Sequence, residues 1–194
     1  FISLLTRDIS LVAAMLDLID NSINAAIAPF SDSLKSAEQY LAVFGDPAIT
    51  PSVDIGLHIG ADKVEIRDNA GGISAADAAE SVFKFGRAGH GEKGNDRLSV
   101  YGIGLKRAIF KLGNKISMRS DHAEGGFDLR LDVAKWAAET SQPWTFKITP
   151  RPPVSRDKCG TTIVVTELYD DIQRRLNDGI FAGQLRESIS KTYA

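Results

Sequence analysis

Asp17, Asp20, Asn21 and Asn24 interrupt the apolar run "LDLIDNSINAA" at spacings of three and four. Residues so spaced share one helix face, so the four make a narrow polar stripe, while Leu11, Val12, Met15, Leu16, Ile19, Ile23 and Ala26 make the rest apolar. A solvated surface face is the plain reading of such a stripe. Against it stand the width of the apolar arc, the absence of Lys and Arg from the stripe, and the gathering of two acids with two amides. The amide oxygen of an Asn is a hard ligand for Mg2+, an ion that keeps several waters and takes substrate phosphates as further ligands. Asp17, one turn before Asn21, would then face a water beside that ion, an arrangement suited to hydrolysis.

Further stretches invite a phosphate or purine reading. In "YGIGLKRA", Gly102 and Gly104 lead into a helix whose first free N–H groups and positive dipole end can hold phosphate oxygens, with Lys106 adding charge. Plain turn geometry is the competing account. "IRDNAGGIS" ends a strand on Asp68 and gives two glycines before a helix. Asp68 and Asn69 either bond the local backbone, or Asp68 accepts from the exocyclic amine of a purine whose flat face the glycines admit. Thr161 and Thr162 in "KCGTTIVVTEL" are favourable strand residues, and a structural role is their default. "GHGEKG" matches G-x-G-x-x-G without the strand and helix that a dinucleotide site needs, and no Walker-type P-loop string occurs.

These residues require elements to hold them. The patterning predicts a helix over 10–27 with Ser10 as its cap, then a loop with a small helix, then a hairpin from "VDIGLHIG" and "DKVEIRDN" turning at 60–62. Ser74 and Asp77 open a further helix running to about residue 83. The Gly- and charge-rich stretch 84–102 reads as a mobile loop or lid, followed by a helix ended by Gly113, four strands ("NKISMRS", "GFDLRLDV", "WTFKITP", "GTTIVVTEL") and a helical tail over 178–193. Early helices and late strands predict an α+β two-layer sandwich, with a mixed, mostly antiparallel sheet covered on one face by helices.

The 194 residues, 43% apolar and 25% charged, suit one domain over 1–194. A formal net charge of −2 gives no bulk affinity for nucleic acid, so that class of partner is expected only through other domains. Cys159 is the single cysteine and the three histidines lie far apart, which argues against a disulfide framework and against zinc. No apolar run approaches the roughly 20 residues of a membrane span. The expected place is the cytoplasm, and the ends of the sequence suggest a piece of a longer protein.

In this order and with these contents, the stretches resemble the boxes of the GHKL ATPase superfamily, which includes gyrase B, the ninety-kilodalton heat-shock chaperones, MutL, sensor histidine kinases and MORC ATPases. "DLIDNSINAA" is similar to the N-box, "DNAGG" to the first glycine box, "YGIGLK" to the second and "GTT" to the closing Gly-Thr element. With "FKFGRAGH", the segment "YGIGLKRA" is closer to MORC-like and related bacterial members than to histidine kinases. The resemblance implies a Bergerat-type fold that binds ATP with Mg2+. It implies Asn21 as the Mg2+ ligand, Asp17 as the base that activates water and Asp68 as the acceptor for the adenine amine. Gly72 would give the base room, Gly102, Gly104, Leu105 and Lys106 would wrap the phosphates, and Thr161 would support the adenine edge. Residues 84–102 become an ATP lid and 29–52 an insertion.

Three residues depart from the family pattern. Asp17 stands where Glu is usual and is one methylene shorter, Ala70 replaces the first glycine of D-x-G-x-G, and Asn24 replaces an acid. The expected function is therefore slow Mg-dependent conversion of ATP and water to ADP and phosphate, acting as a switch for conformation or homodimerisation. The alternatives are a nucleotide-gated interaction module with negligible hydrolysis and a histidine kinase catalytic domain.

Overall fold

The computed structural model describes residues 2–27, 53–79, 104–139 and 146–193. The expected insertion at 29–52, the lid at 84–102 and Gly102 lie outside the described residues. Helix α1 (Ile2–Thr6) precedes α2 (Leu11–Ile27), which Ser10 caps by accepting the Ala13 amide at 3.1 Å, as expected. Leu11, Ala14, Met15, Leu18, Ile19 and Ser22 are buried along α2 at helical spacing, and Asp17, Asp20, Asn21 and Asn24 lie half-buried at the margin of that face.

The expected hairpin forms from β1 (Ile55–Ile59) and β2 (Lys63–Asp68), with Leu57 opposite Ile66. Ser74 opens α3 (Ala75–Asp77), its Oγ accepting the Asp77 amide at 3.0 Å and donating to Asp77 Oδ2 at 2.7 Å. The chain continues as a π turn over 78–79, and the rest of the expected helix to residue 83 lies outside the described residues. Helix α4 (Gly104–Leu112) runs directly into β3 (Gly113–Asp121). Gly113 thus ends the helix, as expected, and also starts the strand. A Cβ there would stand 2.9 Å from the carbonyl oxygens of Thr166 and Glu167, so the chain can turn into the sheet at that point only on a glycine.

The remaining elements are β4 (Phe127–Asp132), α5 (Val133–Ala138), β5 (Ile148–Pro150), β6 (Gly160–Leu168), α6 (Asp170–Asn177) and α7 (Phe181–Tyr193). Three helices differ from expectation. Helix α1 had no clear signal, and α5 is opened by Asp132, whose side chain accepts the Lys135 amide. Helix α6 had no expectation, whereas α7 is the expected tail helix; Gly179, at φ +73°, separates the two, and Asp178 Oδ1 caps α7 by accepting the amides of Ile180 and Phe181.

The six strands form one sheet in the order β1-β2-β6-β3-β4-β5, and every ladder is antiparallel. One sheet face carries Val64, Ile66, Ile116, Met118, Phe127, Leu129, Leu131, Ile163 and Val165, packed in one core with α2, α4 and α7. Arg67, Ser117, Arg119 and Arg130 point to the opposite face and are exposed. Phe110 of α4 stacks on Trp136 of α5 at 5.6 Å, and Trp136 on Phe146 at 5.1 Å, extending the core towards the β5 edge. The result is the expected α+β sandwich with helices on one face.

Candidate functional site

The sheet register sets three polar side chains in one row. Asp68 of β2 pairs with Thr161 of β6, which pairs with Ser120 of β3. All three lie on the helix-facing side, at the end where the alternating apolar residues stop. Thr161 and Ser120 are buried, as is Ser22, which comes down onto the row from α2.

Asp68 is held from three sides. Its Oδ1 accepts the amides of Ala70 at 3.0 Å and Thr161 at 3.3 Å, and its Oδ2 accepts Ser22 Oγ–H at 2.7 Å. A carboxylate offers about four lone-pair positions, so one is left for a further donor. The residue is half-buried. Ser120 Oγ accepts the Ile73 amide at 2.6 Å and stands 3.3 Å from Thr161 Oγ1, which fixes the glycine loop over the row.

The loop after β2 resolves the Ala70 departure. Gly71 and Gly72 take φ of +89° and +70°, and Glu167 is the sole non-glycine at positive φ among the described residues. Ala70 thus carries no left-handed strain, because the two following glycines make the turn. Gly72 is also pressed against β3, since a Cβ on it would stand 2.1 Å from the Asp121 carbonyl oxygen.

The second cluster lies where α2 meets the start of α4. A Cβ on Gly104 would stand 3.6 Å from Asp17 Cγ, so the Asp17 carboxyl group rests on the first turn of α4. Arg107 Nε donates to Asp17 Oδ2 at 2.9 Å, and the same guanidinium reaches Oδ1 at 3.4 Å. Asn21 Nδ2 uses one of its two N–H groups to donate to the Asp17 carbonyl oxygen, which orients the amide and leaves Oδ1 as a hard oxygen acceptor. That donor fits Mg2+, which accepts a single protein oxygen when phosphates and waters complete its shell. Asp20 is turned to a different partner: Tyr193 of α7 donates to Asp20 Oδ1 at 2.6 Å, and burial together with the Asp20 and Asp17 carboxylates pushes the Tyr193 phenol up.

Of the expected site residues, Asp68 and Thr161 meet in the sheet row with Gly72 beside it, Asp17 and Gly104 meet at the α2–α4 contact, and Asn21 is bonded to the Asp17 carbonyl within α2. Leu105 and Lys106 are buried within α4. Sequence reasoning missed Ser22, Ser120, Arg107 and Tyr193. Two of these had a signal: Ser22 is a hydroxyl on the apolar face of α2, and Ser120 continues the inward alternation of Ile116 and Met118. Arg107 and Tyr193 had none, as their partners lie 90 and 173 residues away.

Lys106 is 1% exposed, and burial lowers its ammonium to about 8. Below that pH both folded and unfolded chains carry the proton. Between about 8 and the ordinary 10.5 the unfolded chain binds it and the folded chain does not, so this lysine's contribution to stability rises with pH across that window, by up to about 3 kcal/mol. Urea unfolding at pH 7.5 and pH 10 should therefore show native protein gaining on Lys106→Met as pH rises. Equal pH dependence of the two would mean that Lys106 titrates normally.

An acid at the end of an interior strand, a glycine turn beside it, and an Asp on a helix that meets a glycine-led helix are the arrangement expected of a GHKL-type ATP-binding domain. A profile of the histidine kinase-, DNA gyrase B- and HSP90-like ATPases matches residues 9–161, and the chain belongs to that family. No curated protein matches the chain. Among the described residues no helix is long and apolar enough to cross a membrane.

Proposed function

We propose that the chain binds ATP with Mg2+ and hydrolyses it slowly to ADP and phosphate. The observation that carries this reading is the pairing of two clusters on one helix: Ser22 of α2 completes the Asp68–Thr161 row, Asn21 is its neighbour in the chain, and Asp17, a turn and more towards the N-terminus, meets the start of α4. The first cluster offers a purine amine its acceptor, with Gly72 leaving the loop backbone close to the base. The second offers phosphates the amides of Gly104, Leu105 and Lys106, and an oxygen ligand for the metal from Asn21. When bound, Mg2+ would neutralise phosphate charge. Asp17 would take the proton of the attacking water, and the shorter Asp side chain makes that step slow.

Nucleotide occupancy would act as a conformational or homodimerisation signal, in the cytoplasm. The segment "YGIGLKRA" supports a MORC-like or related bacterial member over a histidine kinase. A second reading, a nucleotide-gated interaction module with negligible hydrolysis, gains support from the Arg107 guanidinium that engages both Asp17 oxygens.

The deciding experiment is a titration of Mg·ATP and of a non-hydrolysable analogue, with phosphate release followed at saturation. Saturable binding that EDTA weakens, with phosphate release above the no-protein rate, is the expected result. Binding without release would favour the module, and failure of any ATP analogue to bind with Mg2+ would sink both readings.

A further inference from the structure

Arg107 meets Asp17 with one nitrogen to each carboxylate oxygen, at 2.9 and 3.4 Å. The Asp17 side chain is 19% exposed and that of Arg107 is 42% exposed, so the acid is mostly enclosed and the cation sits at the rim, able to swing. A carboxylate held in this fork has both oxygens engaged, so a water must displace the guanidinium to reach a free lone pair. A phosphate accepts the same bidentate fork and carries more charge than a carboxylate, which makes it the stronger partner for a guanidinium.

Resting on the ATPase reading above, we propose that Arg107 is a two-position sensor of the γ-phosphate. Without ATP it clamps Asp17. With ATP it turns to the γ-phosphate and frees the carboxylate for the attacking water. The move is short: such a water lies about 3 Å from its base and about 3 Å from the phosphorus, so the γ-phosphate oxygens come within reach of a guanidinium that already touches the base. In the step itself the water oxygen bonds to the γ-phosphorus, and the bond from that phosphorus to the β,γ-bridging oxygen breaks. ADP leaves with the electron pair, and the water proton passes to Asp17. The Arg107 charge offsets the charge spreading over the γ-phosphoryl oxygens, as an arginine supplied in cis does in other phosphoryl transfers. ADP has no γ-phosphate, so it leaves the clamp closed.

The test compares the native chain with Arg107→Ala and Arg107→Gln, each checked for folding by thermal melting. Dissociation constants are measured for Mg·ADP and for Mg with a non-hydrolysable ATP analogue, alongside phosphate release. The expected result is ADP affinity within about twofold of native, analogue affinity reduced about tenfold or more, and kcat reduced about tenfold or more. A merely structural ion pair would shift both nucleotides together. A native analogue-to-ADP affinity ratio in either folded variant, or kcat at or above native, overturns the proposal. Failure of the underlying reading shows elsewhere: it appears as native protein that binds neither nucleotide, or as Asp17→Ala with native turnover.

Discussion

Asp68→Asn is expected to weaken ATP binding by about 100-fold or more while leaving the protein folded. The carboxylate receives Ala70 N, Thr161 N and Ser22 Oγ, and its remaining lone-pair position is the proposed acceptor for the adenine amine. An Asn oxygen in the place of Oδ1 keeps both backbone amides satisfied, and the Ser22 hydroxyl can rotate to accept from the new amide. What changes is the edge shown to the ligand, where two donors now face each other. A buried polar group left unmatched costs about 1–3 kcal/mol, and losing the acceptor as well carries the effect to a hundredfold or beyond. Asp68→Ala would be a poorer experiment, because it strands three donors in and around the core and lowers stability together with binding. Calorimetric titration of both variants with ATP, next to their melting temperatures, separates the two effects. Native ATP affinity in a folded Asp68→Asn protein would remove Asp68 from the adenine site.

Asp17→Ala should retain Mg·ATP binding and lose phosphate release by about 10²- to 10⁴-fold, the usual contribution of a positioned general base. The substitution also removes the Arg107 partner, but Arg107 is 42% exposed and can be resolvated, so folding should survive. Asp17→Glu is the informative companion. Its extra methylene carries the carboxylate towards the water, and a displacement of about 1 Å is worth roughly 100-fold in a geometry-limited step. Faster release by Asp17→Glu than by native protein would show that the short side chain limits the native rate. Equal release by native protein and Asp17→Ala would leave Asp17 without a catalytic role and favour the interaction module.

The parts of the fold that were legible in the sequence are those set by local chemistry. Ser10 before an apolar stripe gave the start of α2, the alternation around 60–62 gave the β1–β2 hairpin, and Gly113 marked the end of α4. The three missed helices depend on context. Helix α1 is a single short turn whose Thr6 carbonyl accepts from Lys111, far along the chain, and α5 needs Asp132 to leave a strand and cap the next residues. The break between α6 and α7 rests on a positive φ at Gly179, which the sequence permits and does not demand.

What the sequence by itself determined is the set of groups and their order: an Asp and an Asn one turn apart on an amphipathic helix, an Asp before a glycine turn, a glycine-led helix and a Thr in a closing strand. Helix and strand periodicity are local, and they fix which residues can share a face. Only the tertiary structure decided which of these groups meet, because contacts across 46, 90 and 93 residues depend on strand register and helix packing. Register placed Thr161 and Ser120 level with Asp68, and the seating of α2 on the sheet brought Ser22 to the same carboxylate. The close approach of α2 to α4 gave the opening stripe its partner, an arginine on Asp17 that no local pattern of the sequence disclosed.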